Sequence, residues 1–163
     1  MVDPVFTIRD ATDVDASCIA GLISELGYPT TASEMRERLA TIEADGGYRT
    51  FVAQVAAAVV GVAGVTVAPY YEHNGTYAQL VVLAVSEAHR RKGLGRALVK
   101  AAEAWAASRA ATVIVVNTGH HRENAHRFYD GIGYASTGLR FVKELGSDVA
   151  RHPEGSPRRG DVM

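Results

Sequence analysis

A basic run with two glycines occupies the middle of the chain and reads His89-Arg90-Arg91-Lys92-Gly93-Leu94-Gly95-Arg96-Ala97-Leu98. It follows an apolar, strand-like run at 79–85 and precedes an apolar periodicity typical of a helix. A glycine-rich helix start offers outward-facing backbone N–H groups, and the helix dipole favours negative charge there. Arginine and lysine side chains add charge-assisted hydrogen bonds to phosphate oxygens. Residues 90–96, called the cradle below, therefore predict a pyrophosphate-binding site.

Spacing excludes two common phosphate-binding motifs. A P-loop needs G-x-x-x-x-G-K-[ST], and the sequence contains no such string. The dinucleotide fingerprint needs a third glycine where Leu98 stands. It also needs an acidic residue about twenty positions further on, where the chain is apolar at 113–116. The cradle is therefore predicted to hold a different phosphate compound.

Composition narrows the class of protein. The 163 residues predict one domain with a sizeable core, and a net charge of -1 gives no general attraction to nucleic acid or membrane. The single cysteine, Cys18, excludes an internal disulfide and favours a reducing compartment. Its position beside Ile19 predicts that it fills the core. Because no signal-peptide pattern precedes the first charged residues, we expect a cytoplasmic protein.

Periodicity and turn residues predict an α/β domain at 1–147 and a disordered tail at 148–163. The predicted order is β-α-α-β-β-β-α-β-α-β(β), a mixed sheet flanked by helices. Thr31-Ala32-Ser33-Glu34 is a capping-box pattern that predicts the start of the second helix. The cradle helix is predicted to run from Leu94 to about Arg109, with Leu94, Leu98, Ala101 and Trp105 on the buried side. The apolar strand at 112–117 is expected to be covered on both faces, and residues 134–145 to form a final strand or pair of strands.

Two motifs resemble a known family. Arg90-x-x-Gly93-x-Gly95 resembles [RQ]-x-x-G-x-[GA], the acetyl-CoA motif of the GNAT acetyltransferases. The segment 121–129, followed by Gly133-Tyr134, resembles their A-x-x-[FLI]-Y…G-[FY] helix. Its wording, A-H-R-F-Y, is closest to the small-amine branch that includes aminoalkylphosphonate acetyltransferases. The resemblance spans roughly residues 6–145 with the same element order, and it implies the GNAT acyl-CoA N-acyltransferase fold.

The resemblance implies acetyl-CoA as co-substrate and suggests which residues hold it. In this family the strand before the cradle splays from its neighbour, and its exposed amides bind pantetheine and polarise the thioester carbonyl. Asn124 is interpreted either as a pantetheine contact or as a helix-start residue only. The implied cofactor-binding residues are Leu83, Ala84 and Val85 on the strand, and Arg90, Arg91, Lys92, Gly93, Leu94, Gly95 and Arg96 in the cradle.

Tyr129 is the implied catalytic residue. A tyrosine with its ordinary pKa of about 10 is protonated at neutral pH and could protonate the departing thiolate as a general acid. The alternative is a packed core aromatic beside Phe128. The chain also departs from the family pattern at two positions. Gln79 stands where GNATs that acetylate protein lysines carry a glutamate base, and Arg122 stands where many relatives carry asparagine.

The acceptor side is the least defined part of the sequence. Glu72, His73 or a water chain past Gln79 could take the amine proton, and Glu25 and Tyr28 occupy positions where GNATs line the acceptor pocket. The histidines at 120, 121 and 126 lack the spacing of a ligand set, so we predict no metal ligands among them. The resemblance to the phosphonate branch leaves a divalent ion open as the alternative.

The predicted function is acetyl transfer to a primary amine, in direct attack within a ternary complex, and the amine is expected to belong to a small molecule. A non-catalytic acyl-CoA-binding regulatory module and acetylation of a protein amine are the alternatives. We expect no nucleic acid or membrane partner. A homodimer is possible, as the commonest closed assembly.

Overall fold

The structure, a computed structural model, describes residues 5–119, 122–143 and 145. The chain divides into two compact units, 1–116 and 117–163, and each is described by itself. The first unit contains β1 (Phe6–Asp10), α1 (Ala16–Glu25), α2 (Ala32–Ala44), β2 (Tyr48–Val55), β3 (Ala58–Pro69), β4 (Thr76–Val85), α3 (Leu94–Ser108) and β5 (Ala111–Val116). The second contains α4 (Glu123–Gly131).

The five strands form one mixed sheet in the order β1-β2-β3-β4-β5. The first three pairings are antiparallel, and β4 pairs with β5 in parallel. A parallel pair needs a long crossover, which α3 supplies. The predicted mixed α/β architecture is confirmed, and these element boundaries lie within a few residues of the predicted ones.

Helices α1 and α2 cover one face of the sheet. Their apolar stripes pack against alternate residues of the central strands, because successive strand side chains point to opposite faces. The core on this face consists of Ala16, Ile19, Ala20, Leu22, Met35, Leu39, Val52, Val62 and Ala84. The predicted capping box that starts α2 is present, since Thr31 Oγ1 accepts from the Glu34 N–H and Glu34 Oε2 accepts from the Thr31 N–H.

Helix α3 packs against the opposite face, where its approach depends on a glycine. A Cβ on Gly61 would lie 3.0 Å from Leu98 Cδ1 and 3.3 Å from Ala53 Cβ, so a larger residue would push the helix away from β3. Leu94 and Leu98 are fully buried as predicted, together with Val99, whereas Ala101 and Trp105 are only half-buried. The buried stripe is therefore rotated slightly from the predicted one.

A β-bulge interrupts β4 at its centre. Val65 pairs with Leu80 and Gly64 pairs with Val82, so Val81 is an extra residue in the ladder. A Cβ on Gly64 would lie 2.9 Å from Val82 Cγ1 and 3.2 Å from Val81 Cγ2, so the missing side chain makes room for both valines. The bulge also reverses the alternation of β4. Leu80 lies across from Val65 on the α3 face, whereas Ala84 belongs to the core under α1 and α2.

The start of α1 is anchored by a buried carboxylate. Asp15 accepts two hydrogen bonds from Arg9, of 2.7 and 2.9 Å, and one of 2.8 Å from the Thr12 N–H. The Arg9 guanidinium holds the pKa of Asp15 below its ordinary value, against the opposing effect of burial, and the Thr12 N–H lowers it further. This network ties β1 to the first turn of α1.

Three sequence-based expectations are wrong. Residues 134–143 and 145 form no strand, and the rest of the predicted final segment lies outside the described residues. Strand β5 is not covered on both faces, since Val113 is 51% and Val115 39% exposed. Among the strands of the described residues, β5 lies at the edge of the sheet and pairs with β4. Cys18 is exposed, because the buried stripe of α1 runs through Ala16, Ile19 and Ala20 instead.

The second unit is described from 117 to 145, with gaps at 120–121 and 144, and the tail predicted at 148–163 lies outside the described residues. Its helix α4 is followed by a turn at Gly133, whose φ of 95° is left-handed. No helix in the described part of the chain combines the length and apolar character needed to cross a bilayer.

Candidate active site

The cradle begins with a tight turn. A 3₁₀ turn at Glu87–His89 follows β4, closed by the His89 N–H to Ser86 carbonyl bond of 2.9 Å. The chain then takes left-handed backbone conformations at Arg91 (φ 60°) and at Gly93 (φ 82°). A non-glycine residue in this region is strained, which is typical of sites where a backbone shape is needed. The two reversals deliver the chain into the first turn of α3.

The start of α3 presents donors suited to an anion. Gly93 is the N-cap and has no side chain with which to cap the helix, and the first intrahelical bond runs from the Ala97 N–H to the Gly93 carbonyl. The preceding amides of α3 therefore point out of the helix start, at the positive end of its dipole. Arg91 and Arg96 are exposed beside them and make no ion pair within residues 5–119. These groups have the chemistry that a pyrophosphate needs, and the pyrophosphate site itself stays a prediction.

Two other cradle cations are engaged with the protein. Arg90 Nε donates to the Val85 carbonyl at 3.0 Å, and its guanidinium lies 3.9 Å from the Glu25 carboxylate. Glu25 Oε2 also accepts from the Glu87 N–H at 3.2 Å, so the end of α1 holds the turn before the cradle. Lys92 Nζ donates to the Ala88 carbonyl at 2.9 Å. Glu25 thus contacts the cradle, a place that sequence reasoning did not assign to it.

Strand β4 leads into the cradle along an open edge. The ladder with β5 ends where Leu80 pairs with Val116, and within the first unit no strand continues beside Val81–Val85 on that side. Leu83, Ala84 and Val85 lie on this stretch, with Ala84 buried and the other two half-buried. Backbone groups along an open strand edge can pair with an extended ligand as a further strand would.

The predicted acceptor residues are not brought together. Glu72 and His73 lie in the hairpin between β3 and β4, where the His73 ring lies 4.0 Å from that of Tyr70. Thr76 to Val85 spans roughly 30 Å of strand, so this hairpin is at the far end of β4 from the cradle. Gln79 is half-buried in β4, one residue before the end of its ladder with β5. Tyr28 lies in the loop between α1 and α2.

A cavity that the sequence did not predict lies under α1 and α2. Its volume is about 210 Å³, and its walls come from both helices and from β2, β3 and β4. The β4 wall is formed by Val81 and Val82, the two residues of the bulge. Its lining residues are Ile19, Ile23, Met35, Arg38, Leu39, Ile42, Tyr48, Arg49, Thr50, Val62, Gly64, Val81 and Val82. Because these residues are dispersed over more than sixty positions, no local motif could have found them.

Charges occur only on one side of this cavity. Arg38 donates to Thr30 Oγ1 at 3.1 Å, and Arg49 donates to both carboxylate oxygens of Asp10. A second cavity of about 260 Å³ shares Ile42 and the start of β2 with the first and is lined by Asp10 and Glu43 as well. Together the two adjoining cavities are therefore lined by apolar residues at β4 and by charged residues towards β1.

In the second unit, Tyr129 is held among aromatic rings. Its ring centroid lies 5.1 Å from that of Phe128 and 5.5 Å from that of Tyr134. The left-handed Gly133 lets the chain turn back so that the Tyr134 N–H donates to the Tyr129 carbonyl at 3.0 Å. Burial raises the pKa of Tyr129 to about 12, against a smaller lowering effect of Arg122. The hydroxyl is therefore protonated throughout the neutral and mildly alkaline range.

Asn124 is exposed on the first turn of α4. Its Oδ1 accepts from Arg127 at 2.9 Å, within the same helix. The helix-start interpretation accounts for this contact, and a pantetheine contact remains a prediction. His126 Nε2 contacts the Gly119 carbonyl at 3.0 Å, whereas the histidines at 120 and 121 lie outside the described residues.

Comparison with known proteins identifies the family. The family model described as acetyltransferase (GNAT) matches residues 19–134, well over half of the chain. N-acetyltransferase family 8 member 2 of Rattus norvegicus is 38% identical over 64 residues, which are 39% of this chain and 28% of the rat protein. The chain thus matches less than a third of the length of that relative.

Solved structures share the fold. A transcriptional regulator from Bacillus halodurans C-125 aligns with a TM-score of 0.79 at 24% identity, covering 86% of this chain and 100% of that one. Aminoglycoside N-acetyltransferase AAC(6')-Iy in complex with CoA aligns with a TM-score of 0.77 at 16% identity, covering 87% of this chain and 96% of that one. At these identities the likeness establishes the architecture.

Proposed function

The chain belongs to the GNAT acetyltransferase family, and we propose that it transfers an acetyl group from acetyl-CoA to the primary amine of a small molecule. The observation that carries the proposal is the continuity of two binding features. The open edge of β4 ends at the turn that leads directly into the α3 amides and the exposed Arg91 and Arg96. An extended arm joined to a pyrophosphate needs this arrangement.

The residues of the first unit suit each part of the cofactor. Backbone groups along 81–85 would pair with the pantetheine arm, while the amides of α3 would receive the pyrophosphate oxygens. Arg96 and Arg91 supply exposed cations, whereas Arg90 and Lys92 hold the loop through contacts with backbone carbonyls. A backbone N–H near Leu83 would stabilise negative charge on the thioester oxygen.

The chemistry follows from a neutral amine attacking the thioester carbonyl. The new C–N bond forms as the C–S bond breaks, the amine proton passes to water, and the thiolate takes a proton from a donor that water then reprotonates. We assign the donation to Tyr129, on the family resemblance and on its protonated state. Because its pKa of about 12 exceeds the ordinary value of about 8.5 for a thiol, its first contribution is a hydrogen bond that stabilises the thiolate. Side-by-side binding of the two substrates supplies proximity.

A small-molecule acceptor is supported by the apolar cavity under α1 and α2. The A-H-R-F-Y wording of α4 supports the same class and suggests an aminoalkylphosphonate among the acceptors to be tested. If the protein were a non-catalytic acyl-CoA-binding module, the cradle would still bind the cofactor but Tyr129 would have no catalytic role. If it acetylated a protein amine, the cavity under α1 and α2 would have no role in binding the acceptor.

The test is acetyl transfer to a panel of amines, followed by mass spectrometry of the product. Release of CoA can be followed in parallel with a thiol reagent, provided that Cys18→Ser is used, because the exposed Cys18 would react too. We expect turnover of at least one small amine, and a loss of roughly 10²-fold or more in kcat for Tyr129→Phe. Tyr134→Phe, which alters the ring beside it, is the matched control and should retain activity.

Two results would count against the proposal. Acetyl-CoA binding with no turnover of any amine or peptide would favour the regulatory module. Equal activity of Tyr129→Phe and Tyr134→Phe at every pH would remove Tyr129 from the chemistry and leave it a packing residue.

A further inference from the structure

From the apolar cavity under α1 and α2 we infer the class of acceptor: a primary amine carrying a single apolar group, such as a phenylalkyl or short alkyl chain. This inference rests on the proposed function and assigns the cavity as the acceptor pocket. It concerns residues for which the sequence motifs had no role.

The size and lining of the cavity define the apolar group. Side chains of Ile19, Met35, Leu39 and Val62 form its walls, and its volume is about 210 Å³. An engineered apolar cavity of ~150 Å³ stays dry and binds benzene. A cavity somewhat larger than that accommodates one aromatic ring with a short linker, or an alkyl chain of comparable volume.

The bulge places this cavity next to the reacting atoms. Val81 and Val82 are adjacent in sequence, yet both line the cavity, because the extra residue breaks the alternation of β4. The same two residues begin the stretch where β4 has left its ladder with β5. An apolar group seated against the two valines leaves its amine at the strand edge that the proposed function assigns to the pantetheine arm.

The charges around the cavity disfavour a polycationic acceptor. Arg38 and Arg49 are the charged side chains that line it, and both are positive. Two acids beside them are already engaged, since Asp10 binds Arg49 and Glu34 caps α2 through Thr31, and Glu43 lines the adjoining second cavity instead of this one. An amine with several ammonium groups would have to place one against apolar walls or beside an arginine, and both cost free energy.

Ile42 offers a way to change the cavity without altering the cradle. It is half-buried on α2 and lines the cavity, whereas its neighbour Thr41 is exposed and does not. Ile42→Trp fills the cavity, Ile42→Ala enlarges it, and Thr41→Trp adds the same indole on the solvent side of the helix. Acetyl-CoA binding by each variant, measured calorimetrically, reports whether it is folded.

The experiment compares kcat/KM for n-alkylamines of increasing length, phenethylamine, an aminoalkylphosphonate and spermidine. We expect kcat/KM to rise about fourfold per added methylene until the cavity is full, and phenethylamine to exceed spermidine. Ile42→Trp should lower the phenethylamine value about tenfold or more, and Ile42→Ala should shift the optimum to a longer chain. Thr41→Trp should behave as the wild type.

The possible results distinguish a wrong acceptor class from a wrong proposed function. Absence of turnover with every amine would overturn the proposed function, and the acceptor assignment with it. Turnover that prefers spermidine or the phosphonate, or that ignores chain length, would overturn the inference alone. The same follows if Ile42→Trp and Thr41→Trp change phenethylamine turnover equally while both bind acetyl-CoA.

Discussion

The cradle and the cavity are built in different ways. The cradle is a run of consecutive residues whose shape comes from two left-handed backbone positions and the start of one helix. The cavity is assembled from side chains on α1, α2, β2, β3 and β4. A site made from local backbone geometry leaves a motif in the sequence, and a site made from distant side chains leaves only ordinary core residues. This contrast predicts that mutations should affect the two sites separately.

Truncation of a cavity leucine should produce the largest effect. Leu39→Ala removes a side chain that is 3% exposed, and we expect it to cost about 2–5 kcal/mol in the free energy of unfolding, measured with urea. The folded variant should accept longer amines, because its cavity is larger. Leu98→Ala is the matched control on the α3 face, since Leu98 is also buried. It should cost a similar free energy without changing acceptor length, and a change in acceptor preference with Leu98→Ala would break the separation.

A backbone change should disable the cradle with a smaller effect on stability. Gly93→Val forces a β-branched residue into φ 82°, at a cost of about 1–3 kcal/mol, which is roughly 5–150-fold in acetyl-CoA affinity if the loop relaxes. Gly46→Val is the control, because a Cβ there also meets open space but its φ is not positive. Unchanged affinity in Gly93→Val by titration calorimetry would mean that the left-handed turn is not needed.

Loss of the Asp15 anchor should weaken the helix that roofs the cavity. Asp15→Asn removes the charge that Arg9 binds, and we expect a loss of about 1–3 kcal/mol in the free energy of unfolding at neutral pH. Because the folded pKa of Asp15 lies below its ordinary value, this stabilisation is complete above about pH 4 and is lost as the pH falls through the folded pKa. The wild-type and variant unfolding curves should therefore converge in acid. Curves that stay parallel down to pH 2 would show that the ion pair is not responsible.

Single cradle arginines should have the smallest effect. Arg96→Ala removes an exposed cation at the start of α3, and we expect acetyl-CoA affinity to fall by about 3–10-fold, with the difference shrinking at high salt. The response of Arg90→Ala to salt should be weaker, since Arg90 Nε is bound to the Val85 carbonyl. If salt changed the acetyl-CoA affinity of Arg90→Ala more than that of Arg96→Ala, Arg90 would be the residue that binds phosphate and Arg96 the one that holds the loop.

The sequence predicted the order of elements from β1 to α4, the helix start at Leu94 and the α2 capping box, because each depends on short-range patterns such as a periodicity, a glycine or a Thr31–Glu34 spacing. The prediction put Cys18 on the buried face of α1, but it lies on the exposed face. Cys18, Ile19 and Ala20 are all small or apolar, so the sequence alone allows more than one buried stripe. Apolar composition alone also suggested full cover for β5, although an edge strand can expose valines. Glu25 was assigned to the acceptor, but its contact with Glu87 depends on how α1 meets the end of β4.

Because of the bulge at Val81, the position of a deletion within β4 decides how it affects packing. The extra residue shifts the alternation of β4 in its middle. As a result Leu80 packs in the layer of α3, whereas Ala84 packs in the layer of α1 and α2. Deleting Val81 itself would restore strict alternation and leave Val82 and Ala84 opposite their present partners, whereas deleting a residue after the bulge, such as Leu83, would send the side chains beyond it to the wrong layer. Substitutions can alter what β4 displays, but the number of residues in it decides which side of the sheet receives them.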